Sequence, residues 1–464
     1  MGAKERKSGE GGEDMRKTNE SAMLTLEKFE EASELVSRVI QKTELVYSEY
    51  FSLQTGNKVY LKPENMQLTG AYKVRGAYYK ISSLSEEERA RGIITASAGN
   101  HAQGVAYAAK SYGVKAVIVM PTTTPLIKVN RTKGYGAEVV LYGDVYDEAC
   151  EKALLLAKEK GYTFVHPFDD LTVATGQGTI AMEIFQDLPL VEYILVPIGG
   201  GGLATGVSAL AKLLNPKIKV IGVEPENAAC MKASLEAGRV VTLPQVSTIA
   251  DGTAVKTPGE KLFPYLQKNL DDILTVPDEE LVVAFLDMVE SHKMIVENSG
   301  LLTVAALKHL RVKGKKVAAI LSGGNMDVIT MSSVVQQGLI LRDRIFTVSV
   351  LLPDKPGELT GVSATIAKEN GNVIKLEHNQ FVSINRNAAV ELRITLEAFG
   401  TAHKEQILTA LEKGGYPTAP MEAYYPWIGP PLQLSFQKHL DCDEAEAKRL
   451  VALYRERFST VGLF

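Results

Sequence analysis

Residues 193–214 read YILVPIGGGGLATGVSALAKLL. Residues 193–198 form an apolar, β-branched run of strand length, and residues 203–214 carry apolar side chains at helical spacing. Between the two stand Gly199, Gly200, Gly201 and Gly202. A strand passing through a short turn into a helix is the repeating unit of a parallel α/β sheet. In such a turn the backbone amides approach a phosphate without obstruction by Cβ atoms, and the helix N-terminus favours its negative charge. A flexible turn or close helix packing would use the same glycines; their position between strand and helix favours the phosphate. No Gly-Lys-Ser/Thr follows, so this is not a P-loop, and no G-x-G-x-x-G with a downstream ribose-binding acid is present.

The pattern extends in both directions. Residues 114–120, 138–142, 219–223 and 317–321 read as further buried strands, and residues 100–112, 147–160 and 279–292 as helices. This alternation predicts an α/β fold, a mainly parallel sheet with helices on both faces. The texture changes near residue 345. A strand at 346–352 runs into the turn Pro353-Asp354-Lys355-Pro356-Gly357, then a helix at 359–370 that Gly371 stops. Strand-like runs at 372–381 and 388–396 and a helix at 403–413 complete a β-α-β-β-α order, a small antiparallel unit separate from the larger sheet. The linker is expected near residues 336–343. Residues 1–22 mix charge and glycine and read as a disordered extension. The tail, 425–464, opens with Pro426-Trp427 and Pro430-Pro431 and carries an amphipathic helix near 443–458.

Composition narrows the function. Of 464 residues, 45% are hydrophobic and 23% charged, with 51 basic against 55 acidic and a net charge of -4. That balance argues against a nucleic-acid or membrane-surface partner. No run of about 18 apolar residues suggests a transmembrane helix, and the N-terminus lacks the apolar core of a signal peptide. Cys150, Cys230 and Cys442 are too few and too scattered for a disulfide framework, which fits a reducing, cytoplasmic setting.

Four segments carry the chemistry. The glycine turn is one. In the second, KPENMQLTGAYKVRGA (residues 62–77), Lys73 follows a glycine-containing turn at the start of a helix. An amine that is partly desolvated near a helix end has a lowered pKa, which suits a Schiff-base lysine; the alternative is a solvated surface lysine. The third, SAGNHAQG (residues 97–104), again joins strand to helix and offers amides and short polar side chains to an anion such as a carboxylate. N-capping by Ser97 or Asn100 explains it equally well. The fourth, LSGGN (residues 321–325), ends another strand. Ligands of parallel sheets sit at the carboxyl ends of strands, so these turns are expected to converge on one cleft. The seven histidines form no HxxH or HExxH pair, no acid cluster has metal-ligand spacing, and no G-x-S-x-G is present. What remains is a lysine with a phosphate-bearing cofactor, which points to pyridoxal 5'-phosphate.

Taken in order, KPENMQLTGAYKVRGA, SAGNHAQGVA, HPFDDLTVATGQGTIAMEI, PIGGGGLATGV, VEPE and LSGGN resemble the pyridoxal-phosphate enzymes of fold type II, specifically the threonine dehydratases. The resemblance spans nearly all of residues 30–340. It implies a catalytic domain over 23–340 made of two parallel-sheet subdomains, the smaller at about 90–167. VSVLLPDKPGEL and Gly371-Asn372 resemble an ACT domain, an amino-acid-sensing module, over 345–424.

The resemblance also implies roles. Lys73 would link covalently to the cofactor and act as the base at the substrate Cα. Tyr72 would lie against the cofactor ring and Asn100 would bond its hydroxyl. Gly199, Gly200, Gly201, Gly202 and Leu203 would cradle the phosphate, and Ser322 would face the pyridine nitrogen. Ser97, Ala98, Gly99, Asn100 and His101 would hold the substrate carboxylate. A serine donates to a neutral pyridine nitrogen, where a carboxylate would keep it protonated; elimination is thereby favoured over transamination. The implied reaction turns L-threonine into 2-oxobutanoate and ammonium, and L-serine into pyruvate.

Serine racemases are similar but carry a serine where this chain has Ala98, so reprotonation from the opposite face lacks a donor. Those relatives bind a divalent cation; Glu224 and Ala228 align with its ligands, but Cys230 replaces an aspartate, so no metal is expected. Glu297 lies in a stretch that is near the cofactor in this family, and a helix-capping role explains it equally well. In the ACT module, Asp354, Gly357 and Asn372 are the natural contacts for an effector, isoleucine or valine if the enzyme serves isoleucine biosynthesis rather than threonine catabolism. Such domains bind effectors between two copies, which implies a homo-oligomer, a dimer or tetramer; the module could also serve oligomerisation alone. The competing functions are a serine-preferring dehydratase or racemase and a non-catalytic amino-acid sensor.

Overall fold

The computed structural model describes residues 24–353, 355–379 and 390–419, with Asp443, Glu446, Arg449 and Leu450. Two compact units divide between Val335 and Gln336. The first holds two sheets. The larger comprises β1 (Val46–Ser48), β2 (Lys58–Lys62), β7 (Tyr193–Pro197), β8 (Lys219–Pro225), β9 (Asp272–Val276) and β10 (Lys316–Ile320), in the order β1-β2-β10-β7-β8-β9. Every pairing is parallel except that of β1 with β2. The smaller comprises β3 (Ile93–Ala96), β4 (Ala116–Met120), β5 (Glu138–Leu141) and β6 (Thr163–Phe164), ordered β5-β4-β3-β6 and wholly parallel.

The unbroken apolar runs of the sequence have a direct explanation. Alternate residues of a strand face opposite sides, and here both sides are covered by helices. In β7, Ile194 and Val196 pack into one core and Leu195 into another; in β10, Ala318 and Ile320 oppose Val317 and Ala319 in the same way. In the smaller sheet, Ile118 and Met120 of β4 face one cluster and Val117 and Val119 the other. Each such valine, leucine, isoleucine or methionine side chain contributes about 1.5–3 kcal/mol by burial.

The second unit contains β11 (Ile345–Leu352), the helix Glu358–Lys368, β12 (Asn372–Asn379), β13 (Val390–Glu397), the helix Thr401–Lys413 and β14 (Thr418–Ala419). Its sheet is ordered β12-β13-β11-β14 and is antiparallel throughout. One strand face packs on the helices: Phe346, Val348 and Val350 with Leu392, Ile394 and Leu396 meet Val362, Ile366, Ile407 and Leu411. That one-sided burial produces the alternating pattern of β13.

The two units divide at the start of the expected linker, 336–343, and most of that segment is helical: Val328–Leu341 is a continuous helix. Asp327 caps its start by accepting the Thr330 amide at 2.9 Å. No proline interrupts the run, and its one glycine disfavours a helix by only about 1 kcal/mol. The N-terminal extension, Asp354 and most of the C-terminal tail, including most of its expected helix, lie outside the described residues.

Candidate active site

The carboxyl ends of β2, β3, β7 and β10 lead into turns that line a single cleft of about 790 Å³. Tyr72, Lys73, Ser97, Ala98, Gly99, Asn100, His101, Gly199, Gly200, Gly201, Gly202, Leu203 and Ser322 all border it. The four segments singled out from the sequence therefore meet in space.

Lys73 is the first residue of the helix Lys73–Ser82. The turn before it is stitched to the turn after β10: the Tyr72 amide donates to the Ser322 carbonyl at 3.1 Å, and the Gly324 amide to the Gly70 carbonyl at 2.8 Å. Gly70 has a φ of 73°, and a Cβ there would lie 2.3 Å from Asn325 Oδ1. Lys73 Nζ donates to the Pro167 carbonyl at 2.8 Å. Burial lowers its pKa to about 8, with the Glu297 carboxylate partly opposing. Lys73 is half-buried in the wall of the cleft, unlike a fully solvated surface lysine.

Asn100 opens the helix Asn100–Tyr112, and its side chain sits in a chain of amide bonds. Its Nδ2 donates to Glu297 Oε1 at 2.7 Å, and its Oδ1 accepts from Asn325 Nδ2 at 2.9 Å. Asn325 Nδ2 also reaches the Thr69 carbonyl at 2.7 Å. Burial, then the charge of Asp251, pushes Glu297 up to about 7, with the Asn100 bond opposing. Ser97 does not cap that helix; its Oγ accepts from the Gly99 amide at 3.2 Å. His101 Nε2 lies 3.1 Å from the Val165 carbonyl, and burial lowers its pKa to about 3, so the ring is neutral and Nε2 donates. Among the described residues its buried Nδ1 has no partner.

The glycine run borders the cleft and is also closely packed. Gly201 adopts a φ of 102° just before the helix Gly202–Leu214, whose first amides have no intrahelical acceptor. The Phe168 ring packs against the turn so closely that a Cβ on Gly200 would come within 2.3 Å of it.

Two features carried no assigned role in the sequence. The first is the 166–170 turn, whose Pro167 carbonyl and Phe168 ring touch the two halves of the site. The second lies beneath the Lys73 helix. The fully buried Arg75 guanidinium donates to both Glu64 oxygens at 2.8 Å and to Glu183 Oε1 at 2.7 Å, and Lys62 also bonds Glu183. A signal was present: Lys62, Glu64 and Arg75 all stand in the segment quoted for Lys73.

Glu224 accepts the Met231 and Lys232 amides, both at 2.8 Å, and so caps the helix Cys230–Ala237. Among the described residues, no group of three or more His, Cys, Asp or Glu side chains is placed to hold a metal ion. Nor is any described helix long and apolar enough to cross a membrane. In the second unit, Gly357 precedes the helix Glu358–Lys368 with a φ of 100°, and Asn372 Nδ2 donates to Glu397 Oε2 at 3.1 Å.

Comparison with known proteins agrees with this geometry. Residues 36–323 match the family described as "Pyridoxal-phosphate dependent enzyme". The L-threonine ammonia-lyase of Thermotoga maritima is 45% identical over 395 residues, covering 85% of this chain and 98% of the relative. The solved threonine deaminase isoform 2 of Solanum lycopersicum is 38% identical with a TM-score of 0.64, covering 68% of this chain and 94% of that one. Maize serine racemase is 33% identical, also with a TM-score of 0.64, over 68% of this chain and 97% of that one. The chain belongs to the pyridoxal-phosphate-dependent enzyme family of fold type II, and pyridoxal 5'-phosphate is its cofactor.

Proposed function

We propose that this enzyme dehydrates and deaminates L-threonine to 2-oxobutanoate and ammonium, as a carbon–nitrogen lyase, with L-serine to pyruvate as a secondary activity. The observation that carries the reading is the Lys73 amine, pKa about 8, in a cleft bordered by two helix N-termini. The similarity to threonine ammonia-lyases at up to 45% identity supports the substrate.

The residues present fit the cofactor. Lys73 offers an amine for its aldehyde, and the amides at Gly199, Gly200, Gly201, Gly202 and Leu203 suit its phosphate. Ser322 offers a hydroxyl for the pyridine nitrogen, Asn100 a side chain for the ring hydroxyl, and Tyr72 an aromatic face. When bound, the cofactor supplies an electron-accepting ring conjugated to the substrate nitrogen, which eases loss of the Cα proton and of the β-hydroxyl. The chain supplies the rest. Amides and hydroxyl of Ser97, Ala98, Gly99, Asn100 and His101 hold the carboxylate at the start of the Asn100–Tyr112 helix and fix which Cα bond faces Lys73. Lys73 Nζ, unprotonated in a useful fraction near neutral pH because burial lowers its pKa, takes the Cα proton. The neutral His101 adds no charge that would compete for the carboxylate.

The βαββα order of the second unit supports an ACT-type regulatory module that binds isoleucine or valine in a homo-oligomer, with Asp354, Gly357 and Asn372 as effector contacts. The catalytic domain is read over 23–340 and the enzyme as cytoplasmic. A second reading, a serine racemase, is favoured by the equal TM-score of the maize enzyme; Ala98 speaks against it because the opposite face lacks a hydroxyl donor. Assay of L-threonine and L-serine for 2-oxoacid and for D-serine separates the two: predominant D-serine would overturn the proposal. Isoleucine titration of the same assay tests the regulatory module, and an unchanged rate would overturn that part.

A further inference from the structure

His166 lies outside the mechanism above, yet the turn it starts touches both halves of the site. Its Nδ1 accepts two backbone amides, Phe168 at 3.2 Å and Asp169 at 2.8 Å. Between the ring and those amides the chain passes through Pro167, whose carbonyl receives Lys73 Nζ at 2.8 Å. We propose that His166 is a positioning residue: as a neutral ring it folds the 166–170 turn around its Nδ1 and so aims the Pro167 carbonyl at the Lys73 amine. The inference rests on the reading of Lys73 as the amine that carries the proton.

The neighbours make the ring the acceptor on which the turn closes. Pro167 has a fixed φ and no amide, so the turn cannot re-form its bonds through that position. The Phe168 ring meets His166 edge-on at 4.8 Å and packs on Gly200, while the Phe168 backbone and Cβ lie against Gly202. Asp169 Oδ1 accepts the Lys261 amide at 3.1 Å. Asp170 caps the helix Leu171–Asp187 through the Thr172 and Val173 amides and pairs with Lys80, on the Lys73 helix, at 2.7 Å. The flanks are thus fixed by other contacts, and without the ring nitrogen two amides lose their acceptor. The carbonyl then has no reason to hold its direction. During turnover the freed Lys73 amine takes a proton and later gives it up, and a carbonyl at hydrogen-bond distance gives the resulting ammonium one defined position. Burial, opposed by Asp170 and aided by Lys73, holds the ring's pKa near 4, which keeps the acceptor lone pair free at neutral pH.

The test compares His166→Ala, His166→Asn and His166→Gln in the full-length holoenzyme. Asn places Oδ1 where Nδ1 lies; Gln instead reaches the position of Nε2. Amide hydrogen exchange at Phe168 and Asp169 is expected to rise roughly tenfold in His166→Ala. Its kcat for threonine should fall roughly tenfold with KM within about twofold. His166→Asn should recover both readouts and His166→Gln neither. Unchanged exchange in His166→Ala, equal recovery by Asn and Gln, or a KM change that accounts for the loss would overturn the proposal. If wild type turns over no threonine, the substrate assignment fails, and the exchange pattern alone decides whether His166 holds the turn.

Discussion

Replacing Arg75 by methionine removes the centre of a buried charge cluster while keeping most of the side-chain volume. In the wild type, Arg75 bonds both oxygens of Glu64 and of Glu183, with distances from 2.7 to 3.0 Å, and is completely buried. After the change Glu183 keeps Lys62, and Glu64 keeps the Thr43 hydroxyl at 2.6 Å. Breaking a buried pair by removing one partner destabilises by about 3–5 kcal/mol, because a buried charge is left uncompensated. That corresponds to roughly a hundred- to several-thousand-fold in the unfolding equilibrium. Urea unfolding followed by circular dichroism, at fixed cofactor concentration because bound ligand adds to stability, reads the loss. The pH dependence has a definite sign. Burial opposes it, but Arg75 and then Lys62 hold the wild-type Glu183 below the usual carboxylate range. That stabilisation is present above the unfolded pKa and disappears as pH falls through the folded one. The gap between wild type and Arg75→Met should therefore be widest at neutral pH and shrink in acid, and Glu183→Gln in the variant background should recover part of it. A loss under about 1 kcal/mol, or one independent of pH, would refute the view that this cluster holds the Lys73 helix in place.

Three further outcomes follow from the same geometry. Gly200→Ala forces a Cβ to 2.3 Å from the Phe168 ring, which should destabilise by about 1–3 kcal/mol and weaken cofactor binding; equilibrium dialysis giving wild-type affinity would contradict the packing. Glu297 has a folded pKa raised to about 7 by burial and then by Asp251, so its contribution is full below the unfolded pKa and lost as pH rises through 7. Thermal unfolding of Glu297→Gln should match wild type near pH 4 and exceed it above pH 7; a constant difference would argue against the assignment. Burial, with the Glu224 charge second, pushes the fully buried Cys230 thiol up to about 12; mass spectrometry after iodoacetamide treatment at pH 8 should find it unmodified in the native enzyme, and modification would show that this region opens.

Much of the architecture is legible in the sequence, because a sheet covered on both faces demands uninterrupted apolar strands. The runs at 193–198 and 317–321 coincide with β7 and β10 to within a residue at either end, and the helix expected at 100–112 has those bounds. The four turns were also legible, since parallel strands deliver their carboxyl ends to one side. What escaped was contact between residues far apart in sequence and lacking a local pattern. The Pro167 carbonyl meets Lys73 across 94 positions, Arg75 meets Glu183 across 108, and Asn325 meets Asn100 across 225. A carbonyl oxygen leaves no trace in side-chain chemistry, and a buried arginine reads like an exposed one until its acids are found. The connection expected at 336–343 coincides with the division between the units, but its helical conformation, sustained by the cap at Asp327 and the absence of proline, was not read from the sequence.

The central claim is that Lys73 performs dehydration of threonine. Its most direct test is 2-oxobutanoate formation from L-threonine by the cofactor-loaded wild type and by Lys73→Ala. The account predicts steady production by wild type and none above background in the variant, with D-serine from L-serine a minor product at most. Turnover that survives Lys73→Ala, or a wild type that binds the cofactor and leaves threonine untouched, would contradict it.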